Sequence, residues 1–225
     1  MTYDYPRCAE CGIDRKNRAC GTAGDKGPGF CPTVNLSDVV ESAAEEYENT
    51  GIREFARQAS IQEAECYSDR QVGGHPVKPR FVEICEFADK MGYTRLGIAF
   101  CAGLSREAHT LVSALRKWGF EAASAVCKVG GFPKETIGLT GEQKVRKHQP
   151  ENMCNPITQA RVLDEAGCDL NIMVGLCVGH DSLFLQHSEA PVTVFAVKDR
   201  VMGHNPIAAV HTMGGYSRWM TEKEE

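Results

Sequence analysis

Leu96-Gly97-Ile98-Ala99-Phe100-Cys101-Ala102-Gly103 reads as a buried strand that stops at a cysteine and a glycine and turns directly into a helix. The same event recurs twice. Ala123-Ser124-Ala125-Val126-Cys127 ends at a cysteine before Lys128-Val129-Gly130-Gly131, and Asn171-Ile172-Met173-Val174-Gly175-Leu176-Cys177 ends at one before Val178-Gly179-His180. Short apolar runs alternating with helical stretches predict an α/β fold with a parallel sheet. Parallel strands in one sheet share a carboxyl edge, and that edge is where open α/β sheets bind ligands. The expected architecture is a Rossmann-like, mostly parallel sheet over residues 94–225. A cysteine-cluster segment over 1–36 and a helical segment over 37–93 precede it.

Working outward, Leu104 to Trp118 carries Ala108, Leu111, Val112 and Leu115 on one face, and Gly119 closes this helix. Phe120 to Cys127 is then the second strand, at a distance that suits a right-handed crossover. Lys128 to Met153 is a long connection whose middle, Lys144, Arg146, Lys147 and His148, is basic. It reads either as a solvated turn or as an anion-binding flap over the crevice. Asn155-Pro156 is a cap followed by a favoured first helical residue, so Cys154 sits at a helix N-terminus. Crossovers bring helix N-termini to the edge where strands end. Cys154 can therefore join Cys101, Cys127 and Cys177, whereas Cys168 begins its strand and falls at the far edge. Pro191 to Val197 is the fourth strand. Lys198-Asp199-Arg200 follows it, where Lys198 and Arg200 can hold an anion and Asp199 can orient either. His180 can ligate, donate to a bound sulfur or exchange protons near neutral pH.

Upstream, Ser37 caps a first helix with Val39, Val40, Ala43, Ala44 and Tyr47 on its apolar face. Asn49-Thr50-Gly51 breaks it before a second helix that runs to about Cys66. After a loop from Gln71 to Pro76, Phe81, Ile84, Cys85, Ala88 and Met91 line a third. Cys66 and Cys85 read as packing residues, because a free thiol is a small core hydrophobe. Thr221 to Glu225 reads as a frayed tail.

The chain has 225 residues, 42% hydrophobic and 24% charged, ordinary values for a globular protein. A net charge of −5 argues against nucleic acid as a partner. No apolar run reaches the ~20 residues of a membrane span, and Met1 to Arg7 lacks the apolar core of a signal peptide. A cytoplasmic protein is expected. Eleven cysteines, an odd number, accompany long apolar elements. That combination suits thiolate ligation in a reducing compartment better than a secreted disulfide scaffold.

Four of these thiols, Cys8, Cys11, Cys20 and Cys31, crowd a glycine-rich segment with little to build a core. Such a segment gains order when a metal supplies the folding energy. Four thiolates suit either zinc or iron–sulfur. The single close pair and the Cys31-Pro32 ending lean toward an iron–sulfur cluster. The start, C-x2-C-x8-C, resembles the N-terminal cluster motif of the hybrid-cluster and carbon monoxide dehydrogenase proteins.

Met153-Cys154-Asn155-Pro156, Gly175 to Asp181, Val197-Lys198-Asp199-Arg200 and Gly203-His204-Asn205-Pro206 together resemble a domain-of-unknown-function family of cysteine-rich metal-binding proteins from anaerobic bacteria and archaea. The resemblance spans nearly the whole chain and implies metal binding in an anaerobe's cytoplasm. It supplies no reaction. From the residues, the expectation is two [4Fe–4S] clusters. One is held by Cys8, Cys11, Cys20 and Cys31, the other at the crevice by Cys101, Cys127, Cys154 and Cys177. His180, Lys198 and Arg200 would orient or protonate a small-molecule substrate, with an electron-donor protein as partner, in a redox or sulfur-transferring reaction such as that of a desulfidase. The alternatives are a non-catalytic metalloprotein, with structural zinc at the N-terminus and a carrier or sensor site at the crevice, and metal-free thiol catalysis by Cys154 or Cys177 with His180 as base.

Overall fold

A computed structural model of the chain describes residues 5–21, 24–68 and 74–221. The loop expected from Gln71 and the tail expected after Thr221 fall largely outside them. The chain forms two compact units, Met1–Ala64 and Glu65–Glu225.

In the first unit, short turns at Cys8–Glu10 and Arg15–Asn17 lead to three helices, α1 (Pro32–Asn35), α2 (Ser37–Glu45) and α3 (Thr50–Glu65). Ser37 is the first helical residue of α2 rather than its cap. Asn49 does more than break the chain, since its side chain caps α3 by accepting from the amides of Gly51 and Ile52. The apolar face expected on this helix is exposed, with Val39 and Val40 on α2 and Tyr47 in the 3-10 turn Glu46–Glu48 that follows it. Periodicity marks a face able to pack, and it does not say that anything covers it.

In the second unit, α4 (Arg80–Lys90) precedes β1 (Arg95–Phe100), α5 (Ser105–Lys117) and β2 (Glu121–Val126). After the long connection come α6 (Pro156–Glu165), β3 (Leu170–Val174), α7 (His180–His187), β4 (Val192–Ala196) and α8 (Pro206–Thr212). The sheet has order β2-β1-β3-β4 and every pairing is parallel, the Rossmann-like α/β arrangement expected. Alternate residues of the central strands feed two cores. Leu96, Ile98, Leu170, Ile172 and Val174 pack with Ile84, Ala88, Ala108 and Leu115 of α4 and α5. Ala99 and Met173 pack with Ala160, Leu163 and Phe184 of α6 and α7 on the other face. Strands buried on both faces read as continuous apolar runs, which is why these were legible.

The chain steps outward from β1 to β2 and then back across to β3. The switch point therefore lies between the carboxyl ends of β1 and β3, where Cys101 and Cys177 follow. At the opposite edge, Asp169 stitches β3 to β1. Its carboxylate accepts from the amides of Thr94 and Arg95 at 2.8 and 2.9 Å and from the Thr94 hydroxyl at 3.2 Å. Burial pushes this carboxyl up, but the donated hydrogen bonds from Arg95 and Thr94 outweigh it and hold the group below its ordinary value. A depressed folded value means stability that is complete above the ordinary carboxylate range and is lost as pH falls through the lowered one. Asp169→Ala is therefore expected to cost about 1–3 kcal/mol near pH 7. The difference from the parent should shrink in urea titrations repeated at about pH 3.

The long connection is not a free flap. Lys134 and Glu151, both largely buried, pair at 2.8 Å and join its two ends. The buried Lys144 ammonium pairs with Glu135 and donates to the Gln149 carbonyl. Lys147 and His148 both turn to Glu142. Most of the basic character that suggested an anion site is thus spent on ion pairs inside the segment. What those pairs achieve is to bring the returning chain back beside β2, where Met153 donates to the Phe132 carbonyl and Asn155 to the Cys127 carbonyl.

Candidate thiolate site at the sheet edge

Each of the four crevice thiols arrives on a different piece of backbone. Cys101 and Cys127 are the residues immediately after β1 and β2, which end in register at Phe100 and Val126. Cys154 precedes α6, whose cap Asn155 accepts from the Thr158 amide at 3.1 Å. Cys177 lies in the turn after β3. Its carbonyl accepts from the amides of His180 and Asp181 and so seats the start of α7. Gly175 makes that turn possible. It has φ +66°, and a Cβ there would stand 2.2 Å from Leu104 Cδ1.

The sulfurs form a chain centred on Cys127, which is almost fully buried in the core beneath α6 and α7, while Cys101 and Cys154 pack against it half-buried. The Cys127 and Cys154 sulfurs are 3.8 Å apart. The Ala102 amide donates to the Cys127 sulfur at 3.3 Å. Hydrogen bonds to Cys101 and Cys154, aided by burial, push the Cys127 thiol well up. The two flanking thiols go the other way. The hydrogen bond from Cys127 draws Cys101 well below the ordinary thiol range against the cost of burial. The Gly103 amide and the Lys198 ammonium then add to it. Cys154 is drawn down first by Cys127 and then by Lys128 and His180. Cys177 stands apart from this chain and receives a hydrogen bond from the Arg200 guanidinium at 3.1 Å, which raises Arg200 further.

Three of the four thiols therefore face a cation of their own: Lys198 beside Cys101, Lys128 beside Cys154 and Arg200 beside Cys177. This matches the expected placement of Lys198 and Arg200 at the edge, but gives them sulfurs as partners. Lys128 was not singled out in the sequence. Its signal was only its position directly after Cys127. Its ammonium is anchored by the Asn152 carbonyl at 2.6 Å. Asp199 does not orient these cations. Its carboxylate caps the following turn by accepting from the amides of Val201 and Met202. His180 opens α7, and its Nδ1 is buried without a hydrogen-bond partner among the described residues. Gln159 was also missed. It is fully buried and spans the ends of β1 and β2 by donating to the carbonyls of Phe100 and Ala125, which holds Cys101 and Cys127 side by side.

Three of the other cysteines are those the sequence assigns to packing. Cys66, Cys85 and Cys168 are buried in packing positions. Burial pushes Cys85 up to about 12 and Cys168 up to about 11. In the first unit, the Cys8–Cys11 turn closes through the Cys11 amide on the Cys8 carbonyl. Arg18 donates to the carbonyls of Ile13 and Cys11. A Cβ on Gly27 would meet the Cys31 sulfur at 2.9 Å, so glycine is needed for that approach. Cys8 and Cys20 are exposed, and Cys11 and Cys31 half-buried. Among the described residues, in either unit, no three His, Cys, Asp or Glu side chains already surround one ion position. No helix of the described residues is long and apolar enough to cross a membrane.

An uncharacterized protein of the archaeon Methanocaldococcus jannaschii, MJ0455, is 45% identical to this chain over 161 residues, covering 72% of this chain and 81% of its own length. A family model described as protein of unknown function (DUF1847) matches residues 31–195. That span takes in Cys101, Cys127, Cys154 and Cys177 with Lys128, Gln159 and His180, and from the N-terminal group only Cys31. Lys198 and Arg200 follow it. The chain belongs to this DUF1847 family of proteins of unknown function.

Proposed function

We propose that the sheet edge is a cysteine-ligated metal centre in which Cys101, Cys127, Cys154 and Cys177 hold an iron–sulfur cluster. In this reading Cys8, Cys11, Cys20 and Cys31 hold a second. The carrying observation is a chain of three contacting thiols, Cys101, Cys127 and Cys154, with Cys177 and three cations at the same carboxyl edge of a parallel sheet. Thiolates are the ligands of iron–sulfur clusters and of zinc. Four of them together carry more negative charge than a half-buried crevice tolerates alone. Lys128, Lys198 and Arg200 offset that charge and, with the amides of Ala102 and Gly103, hold the sulfurs in place. When bound, a cluster supplies one-electron chemistry. The protein's own residues then bind a small anionic substrate through Lys198 and Arg200 and move a proton at His180 Nδ1, in an oxidoreductase or desulfidase role.

One distance favours a second reading. A tetrahedral ion with ~2.3 Å metal–sulfur bonds sets its sulfurs about 3.8 Å apart, and the Cys127–Cys154 pair has this spacing. Thiolates on separate irons of a cubane stand farther apart, so a cubane requires the pair to spread. A single soft ion does not. That version is a non-catalytic carrier or sensor.

Metal and acid-labile sulfide analysis of anaerobically purified protein separates the two. About eight iron and eight sulfide per chain is the expected result for two cubanes. One or two zinc per chain without sulfide would replace the iron–sulfur reading with the single-ion one. Protein free of both after anaerobic reconstitution with iron and sulfide, and after zinc addition, would sink both.

A further inference from the structure

The geometry around Cys127 carries a consequence that does not depend on which metal binds. We infer that Cys127 and Cys154 are a redox pair that closes into a disulfide under two-electron oxidation by a peroxide. Only the corollary, that closure removes two ligands and expels the metal, rests on the reading above.

Three observations point to this pair. The two sulfurs are already 3.8 Å apart. The Asn155 amide donates to the Cys127 carbonyl at 2.8 Å, so the two backbones lie side by side. Exposure differs in the useful direction, because the Cys127 residue is 3% exposed while Cys154 is half-buried at the crevice. An oxidant reaches Cys154 first, and Cys127 waits beneath it as the resolving thiol. Cys101 also neighbours Cys127 and, like Cys154, has a cation beside it, Lys198 at Cys101 and Lys128 at Cys154, so a Cys101–Cys127 bridge is the competing product that peptide mapping distinguishes.

The steps balance. The Cys154 sulfur attacks one peroxide oxygen and the O–O bond breaks. Hydroxide leaves with the bonding pair and takes up the Cys154 proton as water. The Cys127 sulfur then attacks the resulting sulfenic sulfur, the S–O bond breaks, and the hydroxyl leaves with the Cys127 proton as a second water. Two thiols lose two electrons and two protons, and the peroxide gains them.

Trypsin places the candidates on separate peptides: Cys101 in 96–106, Cys127 in 118–128 and Cys154 in 148–161. Full-length protein, chelator-treated or zinc-loaded, is exposed to hydrogen peroxide, alkylated, digested and mapped by mass spectrometry. Zinc release is followed with a chromogenic chelator. The expected product joins 118–128 to 148–161. It falls to background in Cys154→Ser and persists in Cys101→Ser. A cross-link from 96–106 to 118–128 in its place, or sulfinic acid at Cys154 without a cross-link, overturns the inference. The two proposals fail separately. Cross-linking in protein that never held zinc or a cluster would leave the disulfide standing and remove the metal centre. Bound metal lost without the cross-link would do the reverse.

Discussion

Cys154→Ser should empty the sheet-edge centre and leave the N-terminal group loaded. Cys154 is half of the sulfur pair already at ligand spacing, and serine keeps its volume while removing the soft donor. Losing a direct ligand should weaken binding by more than the ~10–100-fold that loss of an outer partner costs. Metal per chain in anaerobically purified protein should therefore drop to what Cys8, Cys11, Cys20 and Cys31 hold by themselves. The fold should survive, because Cys154 packs at the margin of the core rather than inside it. Cys177→Ala is the companion variant. It removes the partner of Arg200, and an unchanged metal content would strike Cys177 from the ligand set. If Cys154→Ser retained full metal and sulfide, with circular dichroism unchanged, the sheet-edge centre itself would be refuted.

Gly97→Ala should be strongly destabilising for so small a change. Gly97 faces Asn171 across the β1–β3 ladder. A Cβ built there would stand 2.1 Å from Asn171 Oδ1 and 3.1 Å from the Cys168 sulfur. Asn171 has little room to move, although its Oδ1 has no hydrogen-bond partner among the described residues. It is fully buried in a central strand, and its Nδ2 donates to the Ser188 hydroxyl at 2.9 Å. Overpacking of this kind costs about 1–3 kcal/mol and occasionally more, and a rigid polar neighbour places this site at or above the top of that range. At about 3 kcal/mol, Tm should fall by roughly 6–12 °C for a unit of this size. A second substitution, Asn171→Ala, removes the oxygen that clashes. The double variant should then be more stable than the sum of the two single losses allows. Strict additivity in a thermal or urea cycle would show that this contact is not the reason for glycine at position 97.

Much of this protein can be read from its chain. The strands around Cys101, Cys127 and Cys177 are apolar runs, each ended by a cysteine and the turn that follows. In a parallel sheet such ends must share an edge whatever the strand order. Asn155-Pro156 likewise fixes a helix start, and hence the place of Cys154, through local cap chemistry. Lys198 and Arg200 were placed at the right edge by the same rule. Their attachment to thiols, and the passing over of Lys128 and Gln159, reflect something different. Which cation meets which sulfur depends on rotamers and on how far each turn leans over the edge. The exposed face of α2 makes a similar point, since an amphipathic period records a capacity to bury without naming a partner.

The amino-acid sequence by itself determined the class of fold, the sheet edge that Cys101, Cys127 and Cys177 follow and the burial of Cys66, Cys85 and Cys168. Hydrophobic period, caps and turn residues are local, and local free energies decide them. Only the tertiary structure decided that Cys127 sits between Cys101 and Cys154, that each flanking thiol has its own cation, and that Gly97 lies against Asn171. Those facts follow from strand register and from side chains brought together across distant segments. Close packing selects among such pairings at contact distances that no sequence spacing encodes.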